Sequence, residues 1–316
     1  MKKIIALVML FSMMLFTVGC ANSLQQSNSF VKDKIDSITE KIDSITGSTT
    51  SNKENTTAGE LTIEMLDIGQ GDASLIRTKD EVIMIDTGDV DQRERLVQLL
   101  KDRGIKEIDK LIITHPHADH IGGAYALFKN FTVKNVYDNG DKANTQTYLT
   151  YLKWIKQKNI SYHELKAGDE VDFGGGVKFK VFSPTENMLK TDDDLNNNSI
   201  VGQLQYNKFT MMFTGDAESK AEENMVKMYG DQIQSLVLKS PHHGSRTSSS
   251  DVFLKALKAK DVLISVGKDN DYGHPHKQAL DRYKKNNMKV YRTDEMGTIT
   301  IKSDGSENYT ITTEKN

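Results

Sequence analysis

Cysteine is nearly absent from this chain. Its 316 residues contain one, Cys20, so the body of the protein has no disulfide and no thiolate to offer a metal. Any ion it holds must sit on His, Asp, Glu, Asn or water. Prolines are also few, Pro116, Pro184, Pro241 and Pro275, and all fall in stretches that read as loops. An excess of one charge is missing too. Lys plus Arg is 41 against 44 for Asp plus Glu, a formal net charge of −3. That excludes a wrap held on nucleic acid by bulk positive charge, but leaves room for a local basic groove or for metal ions as the cations. After Cys20 no apolar run approaches the roughly twenty residues of a bilayer span. With 37% apolar and 27% charged residues, a buried core is affordable and a wholly disordered chain is excluded.

The first twenty residues read as an address. Lys2 and Lys3 precede the apolar run Ile4–Val18, which matches a secretory signal. Its end, Thr17-Val18-Gly19-Cys20, resembles the lipobox of bacterial lipoproteins, with Thr17 where Leu is usual. The resemblance implies lipidation at Cys20 and a place on the extracellular face of the cell membrane, where two acyl chains hold far better than one. An uncleaved N-terminal anchor is the alternative. Residues 21–59, rich in Ser, Asn, Thr and Lys, read as a tether that cannot bury much. Within it Ile35, Ile38, Ile42 and Ile45 fall at heptad spacing, but two heptads are too few for a coiled coil.

From about residue 60 to 316 the pattern becomes that of one catalytic-sized domain. Alternation of apolar and polar residues predicts strands at Leu61–Asp67, Ser74–Arg77, Glu81–Ile85, Asp109–Thr114, Lys178–Phe182, Ile200–Tyr206, Thr210–Thr214, Ser235–Lys239, Asp261–Ser265, Lys289–Arg292 and Gly297–Ile301. Helical spacing predicts helices at Arg93–Arg103, Thr147–Lys158, Ser219–Tyr229, Ser250–Lys258 and Lys277–Asn286. Hairpins come first and helices then intermix with strands, which makes the fold α/β (α+β) with mixed sheets rather than a strict βαβ repeat. Tyr148, Tyr151 and Trp154 lie at helical intervals and read as core.

Of eight histidines, seven fall in three short clusters: His115, His117 and His120; His242 and His243; His274 and His276. Three of the four prolines lie in the same clusters. Imidazole is the commonest neutral metal ligand, and a φ-locked loop holds its direction, so this grouping points to a metal site. In Thr114-His-Pro-His-Ala-Asp-His120, His115 and His117 project to one side of an extended stretch. Asp119 and His120 follow a turn and face differently, within reach of a second ion. His163 stands alone and reads as structural.

HxHxDH is similar to the signature of the metallo-β-lactamase fold, a four-layer αββα sandwich of two mixed β-sheets flanked by helices. The resemblance implies two divalent ions, Zn²⁺ or Mn²⁺, held by His115, His117, Asp119, His120, Asp216 and His243 (or His242). Ile83-Met-Ile-Asp86-Thr-Gly-Asp89 resembles the motif whose Asp, here Asp86, supports a ligand histidine from behind. Met212-Phe-Thr-Gly-Asp216 resembles the motif whose Asp bridges both ions. Asp67-Ile-Gly-Gln-Gly-Asp72, His243-Gly-Ser-Arg-Thr-Ser-Ser-Ser250 and Tyr272-Gly-His-Pro-His276 are similar to the hydrolase domain of ComEC-type competence proteins, here without channel helices. The stretch matching the family's third motif, Asp192–Ser199, has Asn where a His is usual. Asn198 is then expected behind the ligands, and a more oxygen-rich shell tolerates Mn²⁺. A calcium loop at Asp192–Asp194 is the rival reading, without the alternating spacing that such loops show.

Such a pair of ions lowers the pKa of a water toward about 7, so no Ser or Cys nucleophile is required. The expected catalytic residues are Asp119, Asp216 and His274, with His274 or His276 as general acid. Ser245, Arg246, Thr247 and His276 are expected to bind phosphate, with backbone N–H groups at the start of the helix after Ser250. The plainer alternatives are a helix N-cap for Ser248–Ser250 and a surface ion pair for Arg246. The function expected is a secreted, lipid-anchored phosphodiesterase or nuclease acting on DNA or another phosphodiester. A small-molecule esterase and a non-catalytic nucleic-acid-binding lipoprotein are the alternatives. No protein partner is expected.

Overall fold

Period-two alternation sorts the apolar side chains of this protein onto opposite faces of two sheets. The computed structural model describes residues 60–191 and 194–315; the expected signal segment with Cys20, the expected tether, Asp192–Asp193 and Asn316 lie outside them. The first sheet runs through β1 (Leu61–Met65), β2 (Ser74–Arg77), β3 (Val82–Ile85), β4 (Glu107–Ile112), β5 (Thr132–Asp138) and β6 (Ser161–Glu164). The second takes β7 (Glu170–Asp172), β8 (Val177–Ser183), β9 (Val201–Tyr206), β10 (Phe209–Phe213), β11 (Val237–Lys239), β12 (Asp261–Ile264) and β13 (Lys289–Arg292). The chain then returns with β14 (Ile299–Ser303) and β15 (Tyr309–Thr313) to the first sheet, giving the orders β15-β14-β1-β2-β3-β4-β5-β6 and β13-β12-β11-β10-β9-β8-β7.

Alternate residues make three apolar layers. Ile76, Ile83, Ile85, Met211, Phe213 and Leu263 point into the layer between the sheets. Their neighbours Leu75 and Met84 pack outward under α1 (Arg93–Asp102), α3 (Ala124–Asn130) and α4 (Gln146–Lys158), while α2 (Ala118–Ile121) carries part of the histidine cluster. On the other side Met212, Val262 and Ile264 pack under α5 (Glu186–Thr191), α6 (Ser219–Tyr229), α7 (Asp251–Leu257) and α8 (Lys277–Lys285). The result is the αββα sandwich, in which each sheet hides both of its faces.

Strands Ser74–Arg77 and Lys289–Arg292 and helix Ser219–Tyr229 have the predicted bounds. Strands β5, β6, β7 and β15 and helices α2, α3 and α5 were not expected. Two of those strands, β6 and β15, lie at sheet edges, where β6 is exposed throughout and β15 buries no residue. A strand with little to bury carries little alternation to read. Tyr148 and Tyr151 are buried and Trp154 half-buried in the layer under the first sheet. His163 stacks on Tyr137 at 4.7 Å between ring centroids, in edge strand β6. No helix among the described residues is long and apolar enough to cross a membrane.

Candidate metal centre

Strands β3 and β4 run parallel, as do β10, β11 and β12. Parallel strands deliver their C-terminal loops to one edge of a sheet, and that edge collects the histidine clusters. Asp86 follows β3, His115 to His120 follow β4, Asp216 follows β10, His242 and His243 follow β11, and Ser265 follows β12.

Asp216 is the hub. The Nε2 atoms of His115, His120, His242 and His243 lie 4.0, 3.2, 3.7 and 3.5 Å from its carboxylate oxygens. In each ring the other nitrogen is already committed. His115 Nδ1 lies 3.1 Å from the Thr114 hydroxyl, His120 Nδ1 2.9 Å from Asp86, His242 Nδ1 3.1 Å from Glu218 and His243 Nδ1 2.9 Å from the Ser265 carbonyl. A ring pinned at Nδ1 presents its Nε2 lone pair in one direction, which is how proteins orient metal-binding imidazoles. Asp119, His120, Asp216 and His243 each bring one donor atom to within 4.8 Å of the others. His117 Nδ1 lies 3.0 Å from His115 Nε2, next to that group.

The choice between His242 and His243 dissolves in this geometry, because both rings face Asp216. Each residue is left-handed, φ 50° and 53°, a conformation that costs a non-glycine residue about 1–2 kcal/mol. Hydrogen bonds hold the turn: Ser245 N–H donates to the His242 carbonyl at 2.8 Å, and His276 N–H to the Gly244 carbonyl at 2.9 Å. Asp86 is also left-handed. It accepts the backbone N–H and the hydroxyl of Thr114, both at 2.8 Å, besides His120. Gly71 has its own steric reason. At φ 120° a Cβ there would meet the Asp119 carbonyl oxygen at 2.4 Å, whereas the adjacent Asp72 N–H donates to that oxygen at 3.1 Å. Gly-Gln-Gly-Asp therefore braces the backbone of Asp119.

The donor set fits divalent cations. Burial opposes charge on His120 and His243, yet the surrounding carboxylates prevail. Asp216, Asp86 and Asp119 raise His120 well above the usual imidazole range, while Asp216 and Asp72 push His243 up to about 10. Burial, reinforced by the charge on His120, keeps His115 neutral, with its pKa well below the usual value. Although burial would raise both carboxyls, the imidazolium charges hold Asp119 and Asp216 below the usual carboxylate range. The carboxylates thus draw protons onto His120 and His243. Metal binding would release them, making affinity fall as pH falls. His120 Nε2 and Asp216 Oδ1 approach to 3.2 Å without forming an aligned hydrogen bond, and both are buried atoms with no hydrogen-bond partner among the described residues. A shared cation satisfies both.

Beneath the ligands lies a buried cation. The Lys239 ammonium contacts Asp72 and donates to the Gly215 carbonyl at 3.0 Å. Asp72 in turn faces His120 Nδ1 at 3.8 Å and His243 Nδ1 at 3.5 Å. Sequence reasoning missed Lys239, Glu218 and this role of Asp72. The available signal was a lysine closing the apolar run Leu236-Val-Leu, a place where a sheet interior seldom tolerates an unpaired charge.

Several expected substrate contacts are placed otherwise. The Ser248–Ser250 stretch before the helix does not offer these amides to a phosphate, because the buried Glu222 carboxylate takes the N–H groups of Ser249 at 2.5 Å and Ser250 at 2.7 Å. Ser250 is the N-cap of α7, accepting from Phe253 N–H. The Ser245 and Thr247 hydroxyls pair with one another at 2.9 Å, and Thr247 also donates to Glu218 at 2.9 Å. His276 Nδ1 accepts the Arg246 backbone N–H at 3.1 Å, while the residue Arg246 itself is exposed. His274 lines the cavity, but burial and the charges of His243 and His242 lower it to about 4. A neutral imidazole at pH 7 is a poor general acid. Asn198 lies away from the cavity, donating to Asp141 at 2.9 Å, and Asn196 takes the lining position. Asp194 closes a turn by accepting from Asn196 and Asn197 N–H at 3.1 and 3.3 Å.

Glu222 carries a testable consequence. Burial pushes its carboxyl up to about 7, so the folded state binds this proton more tightly than the unfolded chain. That stabilisation is complete below about pH 4.5 and is lost as pH rises through about 7. Relative to the native protein, Glu222→Gln should therefore gain up to about 3 kcal/mol between pH 5 and pH 8. Urea unfolding at the two pH values measures it. A difference that does not change with pH would remove the buried carboxyl from this role.

Two mixed sheets face to face, helices outside, and a His/Asp cluster at one edge describe a metallo-hydrolase, and the chain belongs to the metallo-beta-lactamase superfamily, whose family model matches residues 66–268. ComE operon protein 3 of Bacillus subtilis (strain 168) is 31% identical over 260 residues, 77% of this chain and 33% of that protein. Competence protein ComA of Neisseria gonorrhoeae is 31% identical over 241 residues, 76% of this chain and 32% of that one. The chain thus spans about a third of the length of these curated relatives, in keeping with the ComEC-type motifs. Among solved structures, CmlA, a diiron β-hydroxylase from Streptomyces venezuelae, matches with a TM-score of 0.51 at 13% identity, covering 77% of this chain and 54% of that one. It shares the fold.

Proposed function

We propose that this hydrolase is a metal-dependent phosphodiesterase that cuts DNA at the outer face of the cell membrane, anchored by lipid on Cys20. The observation that carries the reading is the convergence of four Nδ1-pinned imidazoles on Asp216, with Asp119 alongside. His115, His117, His242 and Asp216 would hold one divalent ion, and Asp119, His120, His243 and Asp216 the other. His242 then supplies the nitrogen that Asn196 does not. When bound, Zn²⁺ or Mn²⁺ would neutralise phosphoryl charge and bring a water's pKa toward neutrality.

The protein's own residues supply the rest. Asp119, kept as a carboxylate by the imidazolium charges around it, lines a cavity of about 360 Å³ through which a substrate would approach the centre. A second cavity of about 760 Å³ shares His117 and Ala118 with the first and extends past Lys142, Asn144 and Thr145. An extended chain fits two cavities that meet at one centre better than a compact ester does. The similarity to competence proteins supports DNA as that chain.

The experiment is to incubate the purified protein with single- and double-stranded DNA in Mn²⁺, Zn²⁺ or chelator. Cutting that chelator abolishes is the expected result, binding without cutting favours a nucleic-acid-binding role, and hydrolysis of carboxylic esters alone favours the small-molecule esterase. His242→Ala is expected to lower the metal content from about two ions per chain to one, measured by plasma mass spectrometry. Two ions retained in that variant would return the position to Asn196 and water.

A further inference from the structure

Tyr272 is the most exposed large apolar side chain among the described residues, at 65%, and it stands on the rim of the metal cavity beside Asp119, Asp216 and His243. Its ring stacks on His274, centroids 5.7 Å apart and planes 18° from parallel. The loop that presents it is tightly held. Asn270 donates from Nδ2 to the carbonyls of Gly267 at 2.9 Å and His274 at 2.7 Å, and its Oδ1 accepts His274 N–H at 3.0 Å. Gly267 N–H in turn donates to Gln70 Oε1 at 3.1 Å, joining the loop to the segment that braces Asp119. A large aromatic kept in water gains little from burial. One held on a fixed loop, at the mouth of a catalytic cavity and backed by a second planar ring, offers a π-face in a defined place.

We propose that Tyr272, backed by His274, is a stacking platform for the nucleobase next to the phosphodiester held at the metal centre. This rests on the phosphodiesterase reading and deepens it, since it makes bases, and not the charged backbone alone, part of what the site recognises. Stacking tolerates any base because every base has a π-face, so the platform confers preference for nucleotides without sequence selectivity. Tyr272 contributes to binding and takes no part in bond breaking.

The test compares fluorescein-labelled oligothymidylate of eight residues with an abasic oligomer of equal length and charge, both bound to the full chain with Ca²⁺ in place of Mn²⁺ and followed by anisotropy. The wild type should bind the oligothymidylate about tenfold more tightly, the size of one stacked base. Tyr272→Ala should erase that preference, while Tyr272→Phe and Tyr272→Trp should keep it. An equal preference in wild type and Tyr272→Ala, or no preference in the wild type, overturns the platform. Cleavage of the same oligomers with Mn²⁺ is scored separately. Base-selective binding without cleavage defeats the hydrolytic reading alone, and cleavage without base preference defeats the platform alone.

Discussion

Asp216→Asn should lose most of its bound divalent metal and hydrolyse bis(p-nitrophenyl) phosphate on the order of a thousandfold more slowly, a loss of about 4 kcal/mol in transition-state stabilisation. The substitution keeps the shape of the side chain and removes its charge. That charge is what four imidazole Nε2 atoms approach within 4.0 Å. It is also the strongest attraction that keeps His120 and His243 protonated against the cost of burial. A neutral amide cannot join two cations, so both halves of the centre should weaken together. Metal content and turnover should fall in parallel. A variant that retained its full metal complement would show that the imidazoles and Asp119 hold the ions unaided, and the hub would be wrong.

Lys239→Met should have the second largest effect, on stability. Its ammonium is buried against Asp72, and removing one partner of a buried ion pair costs about 3–5 kcal/mol, because the other charge is left without compensation. For a folded unit of this size that lowers the melting temperature by roughly 10 °C. The double variant Lys239→Met with Asp72→Asn should recover much of the loss, since it leaves no unpaired charge. Calorimetry of the three variants decides the matter. A single variant within about 1 kcal/mol of wild type would mean that water reaches Asp72 and the ammonium is dispensable.

The histidine clusters were legible because metal chemistry compresses its ligands into short, polar, proline-bearing loops that differ from the apolar runs around them. His115, His117, Asp119 and His120 lie within six positions, and the strand before them ends where the structure ends it, within two residues. The phosphate loop misled for an electrostatic reason. Ser248-Ser-Ser250 before a helix looks the same whether its amides face solvent or an internal anion. Only packing shows that Glu222, carried by α6, already fills that place. His274 depends on packing in the same way, since burial first, and then the charges of neighbouring imidazoles, lower its pKa whatever its motif.

The sequence alone determined the layers and the chemistry available. Alternation fixes which side chains each sheet buries, and the scarcity of cysteine leaves imidazole and carboxylate as donors. Tertiary structure alone decided which donors meet. Ring direction depends on the partner of each Nδ1, and those partners, Thr114, Asp86, Glu218 and Ser265, come from separate loops that only the packing of two sheets brings to one edge. Local spacing carries no information about contacts made across more than a hundred residues, such as His243 to Asp119.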